Sequence, residues 1–261
     1  MTVDLIYREM GPPDGDGPVL IVLHALFANA LTWGAINRAL SRRHRLIAPD
    51  LRNHGASPHV ADMDYGLMAG DVLRLMDRLA IGRAVLIGHS MGGKTALHLA
   101  LRAPERVCAV VAVDIAPVRY DHGHDTVLEA MRGLDLARLS RREEADAQLA
   151  TRLPEASVRQ FVLTNLVRHD GRFAWRVNLE ALAANMKNLA DFPVPPEARY
   201  DGPALIIRGA LSDYVRSAHC SVIAALFPRA RIVTLKGAGH WVNADQPALL
   251  IQTLEAFLDR L

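Results

Sequence analysis

The sequence predicts an α/β fold, a mostly parallel sheet flanked by helices, with a helical segment inserted into it. Three observations predict it. Short runs rich in Val, Ile and Leu recur along the chain, helix-patterned stretches separate most of them, and the alternation stops once, between Pro117 and Asp201.

The strands are the runs VDLIY near residue 5, PVLIVLH from Pro18, HRLIAPD from His44, AVLIGHS from Ala84, VCAVVAVD from Val107, PALIIRG from Pro203 and RIVTL from Arg231. Short, nearly continuous apolar runs suit strands covered on both faces, the setting of a parallel sheet. The helices are LMAGDVLRLMDRLA from Leu67, KTALHLALRA from Lys94 and QPALLIQTLEAFLDRL from Gln246. Pro247 fits a first helical turn, where its missing N–H would have had no partner anyway. Between Pro117 and Asp201 the charged, helix-favouring LARLSRREEADAQLATRL is followed by FVLTNLV and FAWRVNLEALAANM. A structureless connection of that length is out of place in a compact domain. The expectation is a helical cap over residues 117–200, returning through FPVPPEARYDGP to a core formed by 1–116 and 201–261.

Composition bounds the function. A chain of 261 residues, 51% hydrophobic and 22% charged, fills one core. Thirty Lys and Arg against 28 Asp and Glu leave a formal charge of +2, too little for a nucleic-acid groove or a polybasic membrane patch, so the expected partners are small molecules. Cys108 and Cys220 stand far apart with no metal-ligand spacing around them, which suits a reducing cytosol and gives no reason to expect a metal or cofactor. MTVDLIYREMGPP lacks a signal peptide's basic start and apolar core, and no run is long enough to span a bilayer. A cytoplasmic enzyme is expected.

Gly88-His89-Ser90-Met91-Gly92 matches G-x-S-x-G, after a strand and before a helix, the context of a nucleophile elbow. So tight a turn holds the serine in a strained backbone region and needs small residues two positions to either side. A serine hydroxyl needs a base to take its proton as it attacks, and His is suited to that near neutral pH. Of 11 histidines, position selects His240 in LKGAGHWVNADQP, on the loop between the last strand and the last helix.

The acid that orients the imidazole has two candidates. Asp213 follows the strand ending near Arg208, and Asp114 ends VCAVVAVD one strand earlier. Each also has a plainer reading, Asp213 as a helix cap and Asp114 as a turn residue. A developing oxyanion needs two fixed N–H donors. Met91, directly after the nucleophile, is one, and Leu26 in LHALFAN is the other, with Ala25 as its neighbour. Asp50, Arg52, Asn53 and His54 read as a hydrogen-bonded turn at least as well as a substrate contact, and Lys94 as a solvated side chain or a local salt-bridge partner.

Together LHALFAN, DLRNHGASPH, GHSMGGK, DIAPVRYDHGH, RREEADAQL, WRVNLEAL, GALSDYV and GAGHWVNADQP resemble the YbfF-type bacterial esterases and their mitochondrial abhydrolase relatives, over almost the full length. The resemblance implies an α/β-hydrolase fold and a serine carboxylesterase acting on short to medium acyl chains. It favours Asp114 as the acid, with Ser212 as a fourth polar member near His240, over the displaced Asp213. One departure is His24-Ala25, where that family usually has His-Gly, so a methyl group enters the oxyanion loop. An acyl-CoA thioesterase is the nearest alternative, with Arg141, Arg142 and Arg176 as candidate phosphate contacts. A ligand-binding protein without turnover is an alternative of another class.

Overall fold

A computed structural model of the chain describes residues 1–13, 17–120, 125–195 and 197–261. The DHGH end of the DIAPVRYDHGH stretch, at 121–124, lies outside the described residues, as does Pro196 in the proline-rich return.

The chain opens with β1 (Tyr7–Met10), β2 (Leu20–Leu23), α1 (Gly34–Leu40) and β3 (Leu46–Pro49). There follow α2 (Tyr65–Arg78), β4 (Ala84–His89), α3 (Met91–Arg102) and β5 (Val107–Val113). Next come α4 (Asp125–Arg132), α5 (Arg142–Leu149), α6 (Ala156–Leu163), the ribbon strands β6 (Leu166–His169) and β7 (Arg172–Trp175), and α7 (Leu179–Ala190). The sheet resumes with β8 (Ala204–Gly209), α8 (Cys220–Leu226) and β9 (Ala230–Leu235), and α9 (Val242–Asp245) and α10 (Pro247–Leu258) close the chain.

Among the described residues the main sheet has seven strands in the order β1-β3-β2-β4-β5-β8-β9, parallel except for β1 against β3. Its first strand lies slightly later than VDLIY, because the Ile6 N–H goes to Ser57 Oγ at 2.9 Å and the ladder begins only at Tyr7. Side-chain alternation along β2 makes two cores. Ile21 and Leu23 pack with Met68 and Val72 of α2 and Leu97 of α3, whereas Leu20 and Val22 pack with Ile36 of α1 and Leu250 of α10. None of the described helices is long and apolar enough to cross a membrane.

The topology positions the site. From β2 the chain moves outward to β3, and from its neighbour β4 it moves the opposite way to β5, so a crevice opens at the carboxyl ends of β2 and β4. LHALFAN leaves β2 there and Ser90 follows β4, while Asp114, Ser212 and His240 follow β5, β8 and β9 at the same end.

Among the described residues between Pro117 and Asp201 the regular elements are helices except at Leu166–Trp175, where an antiparallel ribbon stands in place of the expected helix. Its turn is Asp170-Gly171, both with positive φ (50° and 77°), a pairing that favours a two-residue hairpin.

Candidate active site

The turn after β4 admits no side chain on either flank. A Cβ on Gly88 would lie 2.2 Å from Gly92 O, and one on Gly92 would lie 2.3 Å from Leu23 O. Between them Ser90 is held at φ 51°, ψ −115°, with its N–H donating to Val113 O at 3.0 Å. It lines a cavity of about 40 Å³ with Leu26, Met91, Lys94 and Tyr214, roofed by Met186 and Leu189 of α7. Met91 N–H is the first of α3 and has no earlier helical carbonyl to reach. Neither it nor Leu26 N–H donates to another group among the described residues.

The loop carrying Leu26 is fastened from below. His24 Nδ1 donates to Ala25 O at 2.8 Å and its Nε2 accepts from Leu51 N at 2.9 Å. His54 Nε2 accepts from Phe27 N at 3.2 Å, and Asn165 Nδ2 donates to Phe27 O at 2.6 Å, holding Phe27 at φ 57°. Asp50 accepts from Ala30 N and Ala56 N, each at 2.8 Å, and Arg52 makes a buried two-pronged pair with Asp71 at 2.6 and 2.8 Å. The DLRNHG turn is therefore a brace for this loop. Ala25 is not among the positive-φ residues, so its methyl group imposes no left-handed strain.

His240 and Asp114 meet. His240 Nδ1 lies 2.8 Å from Asp114 Oδ2, with the carboxylate fully buried. Asp114 is at φ 51°, and its Oδ1 accepts from Gly209 N at 2.9 Å. Ser212 Oγ donates to Asp114 Oδ2, reaching the carboxylate rather than the imidazole. Asp213 is exposed. The His240 ring stacks on Tyr214 with centroids 3.9 Å apart, and Tyr214 in turn lines the Ser90 cavity.

His89 supports the same ring from behind, its Nε2 donating to His240 O at 2.8 Å. Burial, reinforced by the charge that His240 can carry, pushes His89 down to about 3. Burial alone takes His24 to about 4, and burial with His24 nearby takes His54 to about 3. All three are neutral near pH 7, and each uses a bare nitrogen or a single N–H as the bonds above require.

A profile of the alpha/beta hydrolase fold matches residues 18–247. The chain belongs to the α/β-hydrolase family. It is 40% identical over 255 residues to the mouse (Mus musculus) sn-1-specific diacylglycerol lipase ABHD11, covering 94% of this chain and 83% of that protein. It is 35% identical over 241 residues to esterase YbfF of Escherichia coli, covering 92% of each, which bears out the resemblance carried by the motifs. Among solved structures, an esterase of a marine microorganism superposes with a TM-score of 0.95 at 33% identity, over 98% of this chain and 100% of that one.

As an α/β hydrolase the chain departs from its sequence expectation at Lys94, which is not solvated but 1% exposed. Its Nζ donates to Ala190 O at 2.9 Å, the last carbonyl of α7, and to Asp191 O just beyond it at 3.0 Å, and lies 4.8 Å from the Tyr120 ring centroid. A cation at a helix carboxyl end and over a π face is well placed, although burial draws it down to about 7. Tyr65 Oη donates to the preceding carbonyl, Leu189 O, at 2.7 Å. Sequence reasoning missed this latch. The available signal was a lysine four residues after Ser90, hence on the Ser90 side of α3. Phe173 and Trp175 pack within the inserted segment, Trp175 Nε1 donating to Met131 O at 3.2 Å, and neither lines the Ser90 cavity.

Proposed function

We propose that this α/β hydrolase is a serine carboxylesterase that cleaves short to medium acyl esters through an acyl-enzyme on Ser90. The observation that carries the reading is the 2.8 Å contact of His240 Nδ1 with the buried Asp114 carboxylate, on a loop whose His240 carbonyl accepts from His89, the residue before Ser90. Ser90 Oγ attacks the ester carbonyl carbon as His240 Nε2 takes its proton, and Asp114 holds the imidazolium in orientation. Met91 N–H and Leu26 N–H receive the oxyanion. As the tetrahedral intermediate collapses, the bond to the alcohol oxygen breaks and the proton on His240 passes to the departing alkoxide. Water then repeats the sequence with His240 as base, releasing the carboxylic acid and Ser90. The steps balance without a cofactor or metal.

The small volume beside Ser90 supports a short acyl group. Residues 117–200 serve as the cap over a core of 1–116 and 201–261, a division supported by the roof that Met186 and Leu189 contribute. A cytoplasmic setting is part of the proposal, supported by the unpaired thiols of Cys108 and Cys220.

The test is hydrolysis of a chain-length ladder of p-nitrophenyl esters beside the matching acyl-CoA thioesters, with Ser90→Ala as blank. The expected result is steady turnover of the short oxygen esters that vanishes in the variant. Faster thioester cleavage would reassign the enzyme as a thioesterase. No turnover, or a single acylation burst, would favour a ligand-binding protein.

A further inference from the structure

Among the described residues the His240 ring meets three others, and one of them face to face. Tyr214 stacks on it with centroids 3.9 Å apart and planes 19° from parallel. His89 meets it at 4.9 Å with planes 44° apart, and Trp241 at 5.7 Å close to edge-on. The Asp114 bond holds a single atom of the imidazole, Nδ1. A hydrogen bond tolerates a broad range of angles, so that bond alone lets the ring tilt. A parallel ring at 3.9 Å opposes the tilt.

The stack is fastened to both partners of the relay. Tyr214 N donates to Ser212 Oγ at 3.3 Å, and Ser212 donates in turn to Asp114. Tyr214 O accepts from Tyr120 Oη at 2.6 Å, and the same hydroxyl accepts from Ala116 N at 2.9 Å, two residues beyond the acid. On the other side Leu211 N donates to Ala238 O at 2.9 Å, two residues before the base. The loop after β8 thus brings the acid a hydroxyl and the base a π face, from residues two apart.

The titratable and charged groups described around the imidazole come from each strand end. Asp114 faces it after β5, and His89, at the end of β4, is neutral near pH 7. Burial, with the Asp114 charge nearby, raises the Tyr214 hydroxyl, so the stacked ring is a neutral phenol. On the ring's own loop Asp245 accepts from Gly239 N at 2.8 Å, and Asp213 beside Ser212 is exposed. Lys94 shares the wall of the Ser90 cavity with Tyr214 and Tyr120.

We propose that Tyr214 is a positioning residue for His240, its π face fixing the plane of the imidazole while Asp114 fixes Nδ1, and stabilising the imidazolium that forms as Ser90 gives up its proton. The proposal rests on the serine-esterase reading. A cation over an aromatic face is attracted to it. That attraction is at full strength only once the proton has moved, so it lowers the barrier more than it tightens substrate binding. Acylation and deacylation both pass through the imidazolium, so kcat and kcat/KM depend on it together.

The experiment follows kcat and kcat/KM for p-nitrophenyl acetate between about pH 5 and pH 9, in Tyr214→Phe, Tyr214→Leu and Tyr120→Phe. Rates are taken per Ser90 that a fluorophosphonate titrates, so unfolded protein does not enter them. Tyr214→Phe keeps the ring and is expected to stay within about twofold of the wild type at every pH. Tyr214→Leu keeps the bulk but has no π face, and is expected to lose about 3- to 30-fold in kcat with KM little changed. Because the face favours the protonated ring, its loss also moves the acid limb of kcat/KM to lower pH, by about 0.5 to 1 unit. Tyr120→Phe gives a smaller loss, and adds nothing in the Tyr214→Leu background if the tyrosine acts through the stack. If Tyr214→Leu fails to fold, Tyr214→Met replaces it. An unchanged rate in the leucine variant, equal losses in the phenylalanine and leucine variants, or a loss with the acid limb unmoved would overturn the proposal, and the esterase reading would stand as long as Ser90→Ala remained inactive. If the wild type cleaved no ester, both readings would fall.

Discussion

The Asp114 carboxylate lies 2.8 Å from Nδ1 of His240 although 126 residues separate them, and the same oxygen also accepts from Ser212. β5 brings the acid and β9 the imidazole to one end of the sheet, with β8 between them supplying the serine. Asp213, next to that serine, faces solvent.

Asp114→Asn is expected to lower kcat about 10³- to 10⁴-fold, because an amide in that place favours the wrong imidazole tautomer. Asp213→Asn is expected to stay within about twofold, as for an exposed side chain. Steady-state kinetics on p-nitrophenyl acetate decide it, and a larger loss for Asp213→Asn would transfer the acid role.

Ser212→Ala removes one donor from the Asp114 carboxylate but leaves Gly209 N–H and His240 in place. A hydrogen bond to a charged group is worth about 1.5–3 kcal/mol, and part of it is recovered by the bonds that remain. The expected loss in kcat is about 3- to 30-fold, with KM little changed. A loss as large as that of Asp114→Asn would make the serine an equal member of the relay.

His24, His54 and His89 are held by burial at about 4, 3 and 3, below their ordinary value of 6.5. Their folded pKa values are depressed, so the unfolded chain binds more protons between those values and 6.5. Their contribution to stability is complete above about pH 6.5 and is lost as pH falls from there toward 4 and 3. Urea midpoints followed downward from about pH 7.5 should begin to drop near pH 6, before the carboxylates titrate. A flat midpoint down to about pH 4.5 would contradict this. The drop should be shallower in a stable variant lacking any one of the three rings.

Lys94→Met keeps the stem but abandons two carbonyls at the end of α7. Each buried carbonyl left unpaired costs about 1–3 kcal/mol, so the denaturation midpoint should fall. The roof residues Met186 and Leu189 lose their anchor, so esters with longer acyl chains should gain relative to acetate. An unchanged midpoint would show that the ammonium does not hold the roof.

Much of the sheet was legible because its strands are buried on both faces and spell themselves out as apolar runs, and because Ser90 sits between glycines that only an elbow requires. The place of His240, after the last strand and at the carboxyl end of the sheet, was legible from its loop. Asp114 was only one of two candidates from the residues, since both loops end at the same side of the sheet and the choice depends on a side-chain direction that strand order alone does not give. The ribbon at Leu166–Trp175 was hidden by residues that also suit a helix, and its Asp-Gly turn was the overlooked sign. Lys94 was misread because lysine is usually solvated, and what buries it, the end of α7, lies 96 residues away.

Ser90 and Asp114 both hold left-handed backbone angles at the ends of β4 and β5, adjacent strands in the middle of the sheet. Such angles persist only while the surroundings enforce them, and central strands are the last part of a domain to open. The roof over the Ser90 cavity, Met186 and Leu189, by contrast, hangs from α7, outside the main sheet. Warming should therefore blur the enzyme's taste before it silences its chemistry, leaving a temperature interval in which it is less discriminating yet still active.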